Sequence, residues 1–139
     1  MKNILFIGAL ILFVSSLVSI LYKRKKADYS GLEVTDIRVS RKLIDVGDRR
    51  KNDSVIATYV FYNTGNKDLV IRSVEPDCHC TVPEFSKDPV KPNDSIAIRL
   101  KYDSSIPGVF QSSALVTTNS KQTPTLLIMR GKIEVLQHQ

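Results

Sequence analysis

The sequence predicts an all-β fold, an antiparallel sandwich of about seven strands, preceded by one N-terminal transmembrane helix. Three observations lead there. From Leu32 onward, short alternating or β-branched runs recur at spacings of about ten residues, separated by turn clusters of Asn, Gly, Asp, Ser and Pro. No apolar period of helical type persists there beyond about two turns. Ahead of this stretch lies a run without charge, Ile4 to Tyr22, dominated by Leu, Ile, Val and Phe. A chain of 139 residues leaves room for one small domain beside that run.

The N-terminal elements come first. Residues 1–3 form a short flank, 4–22 a signal anchor, 23–31 a basic flank and tether, and 32–136 the globular domain. About 19 residues in a helix rise roughly 28 Å, the thickness of a bilayer core. A cleaved signal peptide is the competing reading, since Lys2 makes a positive start and Val14-Ser15-Ser16 offers a small-residue cleavage site. Apolar residues run on past that site to Tyr22, which favours the uncleaved anchor, and no cysteine follows that would mark a lipidated start. Lys23, Arg24, Lys25 and Lys26 form a membrane-surface flank. By the positive-inside rule these charges would hold the domain in the cytoplasm, which stands as the alternative orientation.

Charge excludes one partner class. The net charge is +6, but five of the 20 basic residues (Lys2, Lys23, Arg24, Lys25 and Lys26) precede the domain. All 14 acidic residues follow Ala27, which leaves 15 basic against 14 acidic, a net +1. The domain carries no basic excess of the kind that nucleic acid selects.

Along the domain, Leu32 to Val39 alternates imperfectly and reads as a strand, and Leu43 to Val46 as a second short one closed by Gly47-Asp48. Val55, Ala57, Tyr59 and Phe61 share one face of a longer strand, with Ile56, Thr58, Val60 and Tyr62 opposite. Asn63-Thr64-Gly65-Asn66 is a turn, and Leu69 to Val74 a β-branched strand. Pro83, Pro89 and Pro92 make the next stretch a loop or a sheet edge, because proline donates nothing to a ladder. Ile96, Ile98, Leu100 and Tyr102 restart clean alternation. Asp103 to Gly108 turns the chain, Val109 to Thr118 follows, and Thr125 to Val135 closes the domain with Gly131 as a bulge. The aromatics Tyr59, Phe61, Tyr62, Tyr102 and Phe110 fall at strand spacing and read as core. An OB-like barrel is the structural rival, and it needs fewer strands than the sequence offers.

Between two of these strands stands Glu75-Pro76-Asp77-Cys78-His79-Cys80-Thr81-Val82-Pro83, with both cysteines of the chain and one histidine between them. In a regular strand the two sulfurs would share a face while His79 pointed away. Structural zinc needs four ligands, and the second histidine, His138, is far off in sequence, so no zinc or other metal site is assigned. A soft copper(I) ion accepts fewer ligands, and Cys78, His79 and Cys80 therefore remain a candidate redox or soft-metal motif.

Phe61-Tyr62-Asn63-Thr64-Gly65, Leu69-Val70-Ile71, Cys78-His79-Cys80-Thr81-Val82-Pro83, Pro92, Tyr102, Gly108-Val109-Phe110, Thr118-Asn119 and Leu127 to Gly131 resemble a known pattern. It is that of the bacterial family called domain of unknown function fifteen seventy-three. The resemblance covers about Val34 to Val135 and implies an immunoglobulin-like sandwich of the Hydin and major-sperm-protein type. It further implies an exported envelope protein without catalytic activity. His79 departs from the family's usual glycine, which restricts the backbone at that position.

No nucleophile elbow, phosphate-binding glycine loop, dinucleotide fingerprint or zinc-protease helix occurs, and the carboxylates are scattered through turns. Arg49-Arg50-Lys51, with Arg41-Lys42 near them in sequence, read as a charged hairpin tip, or else as a basic rim on one end of the sandwich. The expected function is therefore a membrane-anchored, non-catalytic envelope module. It sits in the inner membrane as a single-pass protein with a periplasmic C-terminal domain and binds other envelope proteins. No cofactor and no small-molecule substrate are implied. The alternative is a thiol-redox or copper-binding envelope protein acting through Cys78 and Cys80. For the cysteines, three states are open: two reduced thiols, a labile Cys78–Cys80 disulfide, or a copper or intermolecular link.

Overall fold

The computed structural model describes residues 33–135. The expected anchor, the flank Lys23, Arg24, Lys25 and Lys26, and His138 lie outside the described residues. Among those described, no helix is long and apolar enough to cross a membrane.

Among the described residues eight strands form: β1 (Ile37–Val39), β2 (Leu43–Arg50), β3 (Val55–Asn63), β4 (Ile71–Pro76), β5 (Thr81–Glu84), β6 (Ser95–Tyr102), β7 (Gly108–Thr118) and β8 (Thr125–Glu134). They make two four-stranded sheets, β1-β3-β6-β5 and β2-β8-β7-β4. The alternation that marked β3 now has its cause. Val55, Ala57, Tyr59 and Phe61 are at most 1% exposed. They lie with Ile98 and Leu100 of β6 on the core side of the first sheet, in one cluster with Val116, Leu127, Met129 and Ile71 of the second. Each fully buried Val, Leu, Ile, Phe or Met side chain among these contributes about 1.5–3 kcal/mol. Tyr59 also places a hydroxyl in this layer, and it donates to the Ile128 carbonyl at 2.7 Å. Burial pushes its pKa up to about 12.

The structure corrects the expected strand plan at several points. Eight strands form rather than seven, because Thr81–Glu84 pairs with β6 as an edge strand despite Pro83. The sandwich is not wholly antiparallel, since β2 runs parallel to β8. The first strand shrinks to Ile37–Val39; ahead of it Thr35 makes only an isolated bridge to Ser120. Leu69 likewise bridges Val90, outside the ladder that begins at Ile71. Gly47-Asp48 does not close β2, which continues to Arg50.

The bulge expected at Gly131 sits across from it. The β2–β8 register jumps from Asp45↔Arg130 to Asp48↔Lys132, so that Val46 and Gly47 together oppose Gly131, and Gly47 takes φ 68°. Gly131 itself pairs in regular register with Phe110. Tyr62 is not core either; it faces outward with the Arg38 guanidinium 4.1 Å above its ring.

Two buried asparagines close one end of the sandwich. Asn63 donates to the carbonyls of Lys67 (2.7 Å) and Val90 (2.9 Å) and accepts from the Thr35 hydroxyl and the Gly65 amide. Asn119 donates to the carbonyls of Glu33 and Asp68 and accepts from the Val70 amide. Such side chains replace ladder partners where the chain leaves the sheets. A Cβ at Gly65 would fall against the Thr35 hydroxyl and the Asp36 amide, so the turn beside Asn63 admits glycine alone.

Candidate functional site

The cysteine motif lies at the opposite end, where the chain leaves β4 in one sheet and enters β5 in the other. Asp77 to Cys80 form bends and turns rather than a strand. Cys78 and Cys80 are joined as a disulfide, with Cα atoms 5.2 Å apart. The expected strand geometry, with His79 opposite two parallel sulfurs, is thus replaced by a corner that brings the sulfurs together.

Both sheets hold this corner. The Asp77 amide donates to the Ser113 carbonyl at 2.9 Å on the β7 side. On the β6 side the Asp103 amide donates to the Cys80 carbonyl at 2.8 Å. Within the turn the Thr81 amide reaches the Cys78 carbonyl at 3.4 Å. The Asp77 carboxylate accepts from the Ser112 hydroxyl (3.1 Å), the Ser113 amide (3.0 Å) and the Ser113 hydroxyl (2.8 Å). Partial desolvation pushes that carboxyl up, but these hydrogen bonds, the Ser113 amide foremost, outweigh it and set its pKa below the ordinary 3.8. Buried Thr81 and Ser112 share a 2.7 Å hydroxyl contact beneath the disulfide. Sequence reasoning missed Ser112 and Ser113, which lie more than thirty residues on and carry no local signal of this role.

Beside the corner a concave depression of about 650 Å³ is lined by His79, Cys80, Val82, Lys101, Tyr102 and Asp103, among others. Tyr102 also stacks on Phe110, with ring centroids 3.8 Å apart. Desolvation, then the neighbouring Asp103 carboxylate, raises the Tyr102 pKa. The Ser105 amide and hydroxyl lower that of Asp103. No group of three or more His, Cys, Asp or Glu converges as a metal-ligand set among the described residues.

The basic residues divide. Arg49, Arg50 and Lys51 sit at the cysteine end, where the Arg50–Asp53 turn leads from β2 to β3, while Arg41 and Lys42 precede β2. They lie along one sheet edge instead of forming a rim at one end.

The four sheet edges differ in what they offer. On β5 the Asp103-to-Cys80 bond fixes which residues face β6, so the nitrogens of Thr81 and Pro83 point outward. The first donates to Cys78 and the second has no hydrogen, so this edge presents no outward donor. The same parity on β4, set by the Asp77-to-Ser113 bond, turns Val74 and Pro76 outward, and of these only Val74 has a hydrogen to donate. β1 is three residues long, and its outward Ile37 amide donates to the Gln122 side chain at 3.4 Å. β2 is eight residues long without proline. Its Lys42 carbonyl accepts from the Ile128 amide, which leaves Leu43 and Asp45 directed away from β8.

The sequence model of the family described as "Protein of unknown function (DUF1573)" matches residues 37–133. No curated protein matches the chain. Among solved structures, a protein of unknown function from Porphyromonas gingivalis W83 is similar at a TM-score of 0.64 and 16% identity, over 76% of this chain and 51% of that one. The ASH / PapD-like domain 7 of human CEP192 is similar at 0.58 and 9%, over 75% and 89%. The Vibrio cholerae VesB protease is similar at 0.56 and 10%, over 71% and 32%. This chain thus spans about half of the first protein and a third of the protease, and at these identities the likeness is one of fold.

Proposed function

The chain belongs to the DUF1573 family of proteins of unknown function, and on that premise we propose that it is a membrane-anchored, non-catalytic module of the cell envelope. In this reading it binds another protein by accepting an extended segment along β2. The observation that carries the reading is the contrast between edges: β5 presents no outward donor, proline removes one of the two on β4 and capping occupies one of the two on three-residue β1, whereas β2 keeps outward backbone groups at both Leu43 and Asp45. Half-buried Val39, Ile44 and Val46 pack on the core near this edge, where an added strand would cover them. Exposed Arg41, Lys42, Arg49, Arg50 and Lys51 flank it, against Asp48 and an Asp45 already paired with Arg130. A partner segment with apolar alternation and acidic ends fits these features.

The likeness to the PapD-like domain supports the fold that such a reading needs. The domain takes the extracytoplasmic side, with residues 4–22 as its anchor. The chain enters at the asparagine end, and β2 then carries it about 24 Å toward the cysteine end. An affinity pull-down from solubilised membranes tests the reading when run beside Leu43→Pro, which removes an outward N–H without breaking a ladder bond. Capture of one partner by the native chain, reduced at least about tenfold by Leu43→Pro, is the expected result. Equal capture by both would overturn β2 as the docking edge.

A further inference from the structure

The two sulfurs of the cysteine corner are not equivalent. Cys80 lines the depression together with His79, whereas Cys78 is not part of its wall. Cys78 Sγ lies instead 3.9 Å from both the Thr81 and the Ser112 hydroxyl oxygens, on residues 3% and 1% exposed. Cys80 Sγ stands 4.0 Å from Thr81 alone of that pair.

The bond also has little work as a staple. It links residues two apart and so closes a loop too short to constrain the unfolded chain by much. Backbone bonds to Ser113 and Asp103 hold the corner whether or not the sulfurs are joined. What remains is a disulfide with one sulfur facing an open depression and the other resting on two hydroxyls.

We propose that this disulfide takes part in thiol–disulfide exchange with thiolate substrates, with Cys80 as the sulfur attacked and Cys78 as the leaving sulfur. The inference does not depend on β2 binding a partner. A substrate thiolate donates its electron pair to Cys80 Sγ, forming a mixed disulfide, while the Cys78–Cys80 bond breaks and its pair departs on Cys78 as a thiolate. The Thr81 hydroxyl turns its one hydrogen to that thiolate while the Ser112 hydroxyl, released from Asp77, donates to the Thr81 oxygen, and a stabilised leaving thiolate departs faster. If the substrate carries a second thiol, its thiolate attacks the substrate sulfur of the mixed disulfide and expels Cys80. The substrate dithiol is then oxidised by two electrons to a disulfide and the cysteine pair is reduced to two thiols, which take up the two protons released. One such turnover requires no further reactant.

The test mixes the full-length oxidised protein, in detergent, with reduced glutathione, quenches with acid and maps adducts by peptide mass spectrometry. Glutathione on Cys80 should exceed that on Cys78 by at least about tenfold. Thr81→Ser should retain this preference and Thr81→Val should lower both it and the rate. Equal partition, a Cys78 preference, or no adduct until denaturant is added would overturn the proposal. The mapping on the native chain decides the matter even if Thr81→Val does not fold.

Discussion

Asp77 shows how much of the cysteine corner rests on one side chain. Its carboxylate gathers Ser112 and Ser113 of β7 and so positions the turn on the second sheet. Because its folded pKa lies below the unfolded value, the unfolded chain binds more protons between the two, and stability rises with pH through that window. The contribution is complete above an unfolded pKa of about 3.9 and disappears as the pH falls through the folded value. Asp77→Asn should therefore cost about 1 kcal/mol at neutral pH, a figure reduced for the exposure of the group, and less near pH 2. Urea midpoints of both proteins at the two pH values check this. A gap of equal size at both would mean that the charge is not what holds the serines. Cys78, His79 and Cys80 were legible as a motif, but their asymmetry was not, since it depends on Thr81 and Ser112 meeting beneath the bond.

At the scale of the element, β2 and β8 carry the clearest lesson. Alternation in β3 and β6 named their buried faces in advance, because a two-sided strand in mid-sheet exposes one row and buries the other. β2 has no such pattern: as an edge strand it buries little, and Gly47-Asp48 looks like a stop. The structure turns that apparent stop into a bulge facing Gly131. A Cβ on Gly131 would stand 2.7 Å from Val46 Cγ2 and 2.8 Å from the Gly47 carbonyl oxygen. Gly131→Ala is therefore expected to cost about 1–3 kcal/mol. It should lower the melting temperature by several degrees, about 4–8 °C per kcal/mol for a domain of this size. An unchanged melt would show that β2 is free to move off β8, and would weaken its role as a fixed docking edge.

At the scale of the molecule, two ends are built differently. One is closed by the buried amides of Asn63 and Asn119, and it receives the chain at Glu33. The other carries the disulfide, the Tyr102–Phe110 stack and the depression. If residues 4–22 anchor the protein with its domain outside the cytoplasm, protease added to intact spheroplasts should digest the domain. Complete protection would mean that Lys23, Arg24, Lys25 and Lys26 stay on the cytoplasmic side with the domain beyond them.

The sequence by itself determined the all-β class, the buried faces of β3 and β6, the turn at Asn63-Thr64-Gly65 and the place of the cysteines between two strands. These follow from period, turn chemistry and composition, all of which are local. Tertiary structure alone decided that β2 runs parallel to β8, that Tyr62 faces outward, that Pro76 and Pro83 point away from their ladders, and that Ser112 and Ser113 lie under the cysteine corner. Each of these depends on which strands become neighbours and in what register. That choice is made by packing between residues far apart in the chain, where local pattern carries no signal.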